Sequence, residues 1–103
     1  MPVVRMETTI TAGKDKQVET LFEGPRRKLM QITLRNNAVL AAHRAAVPIT
    51  IQWVAGHGTL TATETAEPVD LVPGVIVTLE AGIEHAVTGR PSVSILLTQF
   101  TDR

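Results

Sequence analysis

The chain has 103 residues, of which 44% are hydrophobic and 19% charged, with ten basic and ten acidic side chains and no cysteine. This length suits one domain, and the absence of cysteine excludes disulfides, thiolate catalysis and cysteine-bound metals. The balanced charge gives no electrostatic reason to expect nucleic acid or an anionic membrane as a partner.

Short β-like runs bounded by turn residues dominate the pattern from residue 27 onward. The segment Gly56-His57-Gly58 predicts a tight hairpin between the third and fourth runs. Seven or eight strands at a spacing of about ten residues predict an all-β sandwich or barrel. In chain order the runs are RKLMQITL, AVLAAHR, ITIQWVA, TLTATET, VDLV, VIVTL, HAVTGR and SVSILLTQF.

The first part of the chain is polar. Val18, Leu21 and Phe22 have the spacing of one helical turn, but the same segment suits an extended arm equally well. It lacks the apolar core of a signal peptide, and no run approaches the roughly 20 residues that span a bilayer. We therefore expect a single cytoplasmic domain over residues 1–103, with an N-terminal arm (1–26) and a barrel core (27–100).

Two stretches contain histidines and glycines in a matching order. His43 and Gly56 stand in the first, and Gly74, Gly82 and His85 in the second. The stretches resemble the two motifs of the small single-domain, RmlC-like cupins, G-x5-H-x-H-x3-E-x6-G and G-x5-P-x-G-x2-H-x3-N. The spacing is kept at all ten motif positions, and the five residues just named match. The departures are Asn37, Ala45, Ile49, Glu80 and Gly89, in place of glycine, histidine, glutamate, proline and asparagine.

The resemblance implies a double-stranded β-helix, a short jelly-roll barrel that commonly forms homodimers. We predict this fold for the chain. The fold alone does not imply one chemistry, because many activities are built on it.

His43 and His85 are candidate metal ligands at the mouth of this barrel. Alternation along a strand places Val39 and Ala41 on the inner face with His43 and turns Glu84 outward. Catalytic zinc usually keeps three protein ligands, and non-haem iron uses two histidines and a carboxylate. Two imidazoles alone would bind zinc, iron, manganese or nickel weakly.

Glu80 and His57 are the other residues that such a site could recruit. Glu80 is the nearest carboxylate, but its turn position hides its direction. Seven strand residues separate His57 from Ile49 at the start of the third run, which is roughly 20 Å at about 3.3 Å per residue. We interpret His57 as an exposed turn histidine.

The predicted ligand pocket combines two polar groups with an apolar lining. His43 and His85 stand at its mouth, and a small, partly apolar molecule would suit it. A barrel of this size can equally be filled by its own side chains. The predicted lining residues are Met30, Ile49, Ile51 and Trp53.

The leading functional hypothesis is a small-molecule-binding cupin, with activity unknown. The alternative is a metal-dependent oxygenase or isomerase acting on a small organic substrate, with His43 and His85 carrying the chemistry. A sensor that works with a separate partner is a third possibility. Exposed strand edges favour a homodimer, with Leu96, Thr98, Phe100 and the N-terminal arm as candidate interface.

Overall fold

The computed structural model describes residues 1–101, which form seven strands in antiparallel pairs and no helix. The all-β prediction is therefore confirmed. Within these residues no helix is long and apolar enough to cross a membrane. The strands are β1 (Lys16–Gly24), β2 (Arg27–Leu34), β3 (Val39–Arg44), β4 (Ile49–Ala62), β5 (Val69–Leu71), β6 (Ile76–Leu79) and β7 (Glu84–Phe100).

Strands β4 and β7 form the spine of the molecule. They pair along their whole length, from Ile49 opposite Gln99 to Ala62 opposite His85. The first half of β4 and the second half of β7 are flanked by β6, β2 and β1, whereas the other halves are flanked by β5 and β3. The spine thus connects two rows of strands, which share one core.

The core is made of aliphatic side chains from both rows, and each one fully buried contributes about 1.5–3 kcal/mol relative to exposure. Along β7, Val93, Ile95 and Leu97 face inward at every second position, as strand alternation requires. The buried core residues are Ile32, Leu34, Ile49, Ile51, Leu60, Leu71, Leu79, Val87, Val93, Ile95 and Leu97.

The hairpin predicted at Gly56-His57-Gly58 is wrong, because these residues lie inside the continuous strand β4. The register with β7 shifts on both sides of Gly56, so the segment is a bulged bend between the two rows. A Cβ on Gly56 would stand 2.2 Å from the carbonyl oxygen of Ser92, and one on Gly58 would stand 2.6 Å from that of Thr88. Glycine is needed here because β4 and β7 approach closely, not because the chain reverses.

The predicted N-terminal arm contains strand β1, which pairs with β2 at the edge of one row. The segment with helix-like spacing is thus extended. The register shifts between Thr20 and Phe22, which makes Leu21 an extra residue in β1. The first fifteen residues form no strand, and Gln31 and Arg35 hydrogen-bond to their backbone.

Candidate functional site

His43 and His85 are directly opposite each other on strands β3 and β7. Their imidazole rings are 4.3 Å apart between centroids and inclined by 56°. The two histidines that the motif spacing singled out therefore form one pair.

A bulge in β3 sets the direction of His43. Leu40 is opposite Val87 and His43 is opposite His85, so β3 has one residue more than β7 between the two pairs. The predicted inner face of β3 is consequently wrong: Leu40 packs against the core, whereas Val39 is 42% exposed and Ala41 is also exposed. Simple alternation cannot place Leu40 and His43 on one face, because an odd number of steps separates them.

The pair extends from the core to the surface. His85 is 2% exposed, whereas His43 on the neighbouring strand is exposed. A molecule that reaches the buried ring would therefore meet His43 at the rim.

Both rings bind backbone in the same way. Nδ1 of His43 is 3.0 Å from the carbonyl oxygen of Ala41, and Nδ1 of His85 is 3.0 Å from that of Ile83. Because a carbonyl oxygen only accepts, each Nδ1 must carry the proton, and Nε2 of a neutral ring then holds a lone pair. Nε2 of His85 is buried and has no hydrogen-bond partner within residues 1–101.

Burial lowers the pKa of His85 from its ordinary value of 6.5. The bond to the Ile83 carbonyl opposes this shift, and the neighbouring His43 adds to it. Desolvation is the largest cause because a charged imidazolium loses more hydration than a neutral ring. At neutral pH His85 is therefore uncharged and offers an acceptor atom, Nε2.

The donor set does not fit a resident catalytic metal. Among residues 1–101, no three histidine, cysteine, aspartate or glutamate side chains come together as a metal site. Glu84 forms an ion pair with Arg44 at 3.6 Å, with 44% of its side chain exposed, and Glu80 is exposed. Two imidazole nitrogens are fewer than the three protein ligands that catalytic zinc usually keeps.

His57 is not part of the pair. It is exposed, its Nδ1 lies 3.2 Å from the carbonyl oxygen of Arg90, and its Nε2 lies 3.6 Å from Asp70 Oδ1. The expectation of an exposed residue is met, although His57 lies within a strand and not in a turn.

The four predicted lining residues all belong to the core or pack against it. Ile49 and Ile51 are fully buried, and Met30 and Trp53 are partly buried. The indole Nε1 of Trp53 donates to the carbonyl oxygen of Gly56 at 2.8 Å, which satisfies its polar group. That these side chains line a pocket around His43 and His85 stays a prediction.

A depression of about 190 Å³ lies beside His85. Small side chains leave this space open, and these residues were not among those predicted to line a pocket. The available signal was the run of small side chains Thr61-Ala62-Thr63 in TLTATET. The lining residues are Ala42, Thr61, Ala62, Thr63, Glu84, His85 and Ala86.

Comparison with known proteins identifies the fold. No protein-family model and no curated protein sequence matches the chain. Solved structures do match. An RmlC-like cupin with a double-stranded β-helix fold from Methanocaldococcus jannaschii has a TM-score of 0.79 and 17% identity, covering 99% of this chain and 92% of its own. A cupin superfamily protein from Desulfitobacterium hafniense has a TM-score of 0.79 and 17% identity, covering 90% and 84%.

An enzyme is also among the similar structures. The DMSP lyase DddQ from Ruegeria pomeroyi has a TM-score of 0.76 and 16% identity, covering 85% of this chain and 48% of the lyase chain. At these identities the likeness establishes the fold alone, which is the predicted double-stranded β-helix.

Proposed function

We propose that this barrel, which has the double-stranded β-helix fold of the cupins, binds a small molecule at the pair formed by His43 and His85. The observation that carries the proposal is the buried, unpartnered Nε2 of His85. A buried polar atom without a partner costs about 1–3 kcal/mol. A ligand that donates a hydrogen bond to Nε2 recovers this free energy.

The chemistry of the pair defines the class of ligand. Neutral His85 accepts a hydrogen bond from a hydroxyl, an amide N–H or an ammonium group, and the low local dielectric strengthens that bond. His43 at the rim offers a second Nε2 with the same tautomer. The alanines and threonines that line the depression beside His85 favour a partly apolar remainder, so the ligand class is a small, partly apolar molecule with one donor group.

The alternative is a metal-dependent oxygenase or isomerase, and the similarity to a lyase supports an enzyme in general. The specific observation in its favour is that both Nε2 atoms hold free lone pairs, which can ligate zinc, iron, manganese or nickel. The small donor set argues against it, since two imidazoles would hold such an ion only weakly.

A matched fragment series tests the proposal. Benzyl alcohol and benzamide carry a donor on an apolar ring, whereas benzyl methyl ether and N,N-dimethylbenzamide lack it. We expect the donor-bearing fragments to bind roughly 5- to 150-fold more tightly, because one hydrogen bond to an unsatisfied buried acceptor is worth about 1–3 kcal/mol. Protein-observed NMR titration measures both affinities.

Two variants make the comparison specific. His85→Phe keeps a ring but removes the acceptor, so the preference for donor-bearing fragments should disappear, while His57→Ala should keep it. Equal affinities within each fragment pair on the unmodified protein would contradict the proposal.

Metal analysis distinguishes the metal-dependent enzyme from the proposed small-molecule-binding protein. Protein purified without chelator or nickel is assayed for bound metal, then titrated with zinc, iron(II), manganese and nickel in thermal-shift experiments. We expect substoichiometric metal and weak stabilisation. Near-stoichiometric metal that is lost in the His43→Ala/His85→Ala variant would instead favour the metal-dependent enzyme.

The proposal includes a homodimer through the outer face of β7. Leu96 and Thr98 are half-buried and Phe100 is exposed on this face, beside the inward Ile95 and Leu97. Size-exclusion chromatography with light scattering should give twice the monomer mass of 11.1 kDa.

A charge in the predicted interface should dissociate the dimer. Phe100→Glu is expected to yield monomers, because the carboxylate would lose hydration on burial. Ile76→Glu, a change at an exposed residue on β6, serves as the control and should stay dimeric. A monomer at all protein concentrations would remove the dimer from the proposal.

A further inference from the structure

Residues 7–14, called the strap below, are fastened to the outside of the barrel at two points. The side-chain amide of Gln31 pairs with the backbone of Glu7: its Nε2 donates to the Glu7 carbonyl at 2.7 Å and its Oε1 accepts from the Glu7 N–H at 3.3 Å. Arg35 donates to the carbonyl oxygens of Thr11 and Lys14, each at 2.7 Å. Between these points the strap bridges the sheet surface.

A cavity of about 130 Å³ lies under the strap. Its floor is polar and buried, with Gln31 5%, Thr33 8% and Ser94 2% exposed. These side chains point away from the core, because they alternate with Ile32, Leu34, Val93 and Ile95 along β2 and β7. Polar side chains with so little exposure normally have at least one hydrogen-bond partner.

The floor keeps unused hydrogen-bonding capacity. Ser94 Oγ accepts from Gln31 Nε2 at 2.9 Å and shares one hydrogen bond with Thr33 Oγ1 at 3.2 Å. Two hydroxyls carry two protons and four lone pairs. One proton joins the pair, so one proton and further lone pairs remain for a molecule in the cavity.

The charged side chains that line the cavity determine which kind of molecule it would bind. Glu7 and Glu19 line it, and within residues 1–101 no ion pair is formed by either carboxylate. Arg35 is the basic lining residue, and its guanidinium already donates to Thr11, Lys14 and the Gln17 side chain. Two carboxylates and one guanidinium give the lining a net charge of −1, and this charge above a floor of lone pairs favours a cation with several N–H or O–H donors.

We infer that the cavity under the strap is a second binding site, for a small primary ammonium compound that carries a hydroxyl group. The volume holds about four water molecules at about 30 Å³ each, which limits the ligand to roughly four to six non-hydrogen atoms. The ammonium group pairs with Glu7 and Glu19, while the hydroxyl meets Thr33 and Ser94. This site is independent of His43 and His85, whose depression has other lining residues.

Three probes of nearly equal size test the charge requirement: ethanolamine, ethylene glycol and glycolate. Each is titrated into the full chain, and the backbone amide signals of residues 7–14, Thr33 and Ser94 are followed by NMR. We expect saturable shifts with ethanolamine, at least tenfold weaker binding of ethylene glycol and none of glycolate.

Matched variants test the residues. Glu19→Gln and Thr33→Val should each weaken ethanolamine at least fivefold, while Glu23→Gln on the same strand and Thr88→Val outside the cavity should not. Equal responses to the three probes, an unaltered affinity in Glu19→Gln, or no saturable shift with ethanolamine would each overturn the inference and leave a cavity filled by water.

Discussion

Replacement of Gly56 by alanine should lower the free energy of unfolding by about 2–5 kcal/mol. The backbone of Gly56 has a φ of 76°, where any L side chain costs about 1–2 kcal/mol. The new Cβ would also stand 2.2 Å from the carbonyl oxygen of Ser92 and 2.7 Å from Ile10 Cδ1. Overpacking against an atom that cannot move away adds about 1–3 kcal/mol.

Gly74→Ala is the matched control, because Gly74 has a φ of 91° but nothing within 4 Å of its would-be Cβ. It therefore incurs the conformational cost alone, about 1–2 kcal/mol. Urea denaturation followed by circular dichroism measures both free energies. Small domains are stable by about 5–15 kcal/mol, so the Gly56 change can remove a large part of the total. Equal losses of unfolding free energy in Gly56→Ala and Gly74→Ala would show that the contact with Ser92 is not close.

The strand pattern and the histidine pair could both be predicted from the sequence. Pro48, Gly74 and Gly82 lie between strands, so the ends of the strands beside them follow from local sequence. The motif spacing then places His43 and His85 in one pair. Once the antiparallel pairing holds, the distance between the rings follows from strand geometry.

The wrong predictions for β3 and β4 arise where a bulge interrupts the alternation of side chains along the strand. The bulge between Leu40 and His43 has no sequence signal, since Ala41 and Ala42 fit either face of a strand. The wrong hairpin prediction at Gly56 has another cause, because glycine occurs both in tight turns and where two backbones approach closely. Only the tertiary position of Ser92 distinguishes these cases.

The cavity under the strap could not be predicted, because its parts lie far apart in the sequence. Gln31 and Ser94 are 63 residues apart, and Gln31 and Glu7 are 24 apart. Strand alternation alone makes Gln31 and Thr33 ordinary solvent-facing residues. Their burial depends on a strap that has no regular secondary structure.

Acidification should destabilise the protein through His85. The pKa of this residue is lowered in the folded state, so between that value and 6.5 the unfolded chain binds more protons than the folded one. The contribution of His85 to stability is therefore constant above about pH 6.5 and falls below it, by at most about 1.4 kcal/mol per pH unit until the folded pKa is reached. Urea denaturation at intervals from pH 7.5 to 5.5 measures the slope.

His85→Leu should flatten this slope, because it removes the titrating group and keeps an apolar side chain in the core, while His57→Ala should leave it unchanged. An equal slope in wild type and His85→Leu would show that another group titrates. Protonation of His85 also affects the binding of a ligand at its Nε2. Protonation of Nε2 removes the acceptor, and in the folded protein this happens only near the lowered pKa of His85. Affinity for benzyl alcohol should therefore stay constant where stability first falls, just below pH 6.5, and should decline only near the lower, folded pKa. Affinity that stays constant through the folded pKa would place the ligand away from His85, and a decline there would place its donor on Nε2.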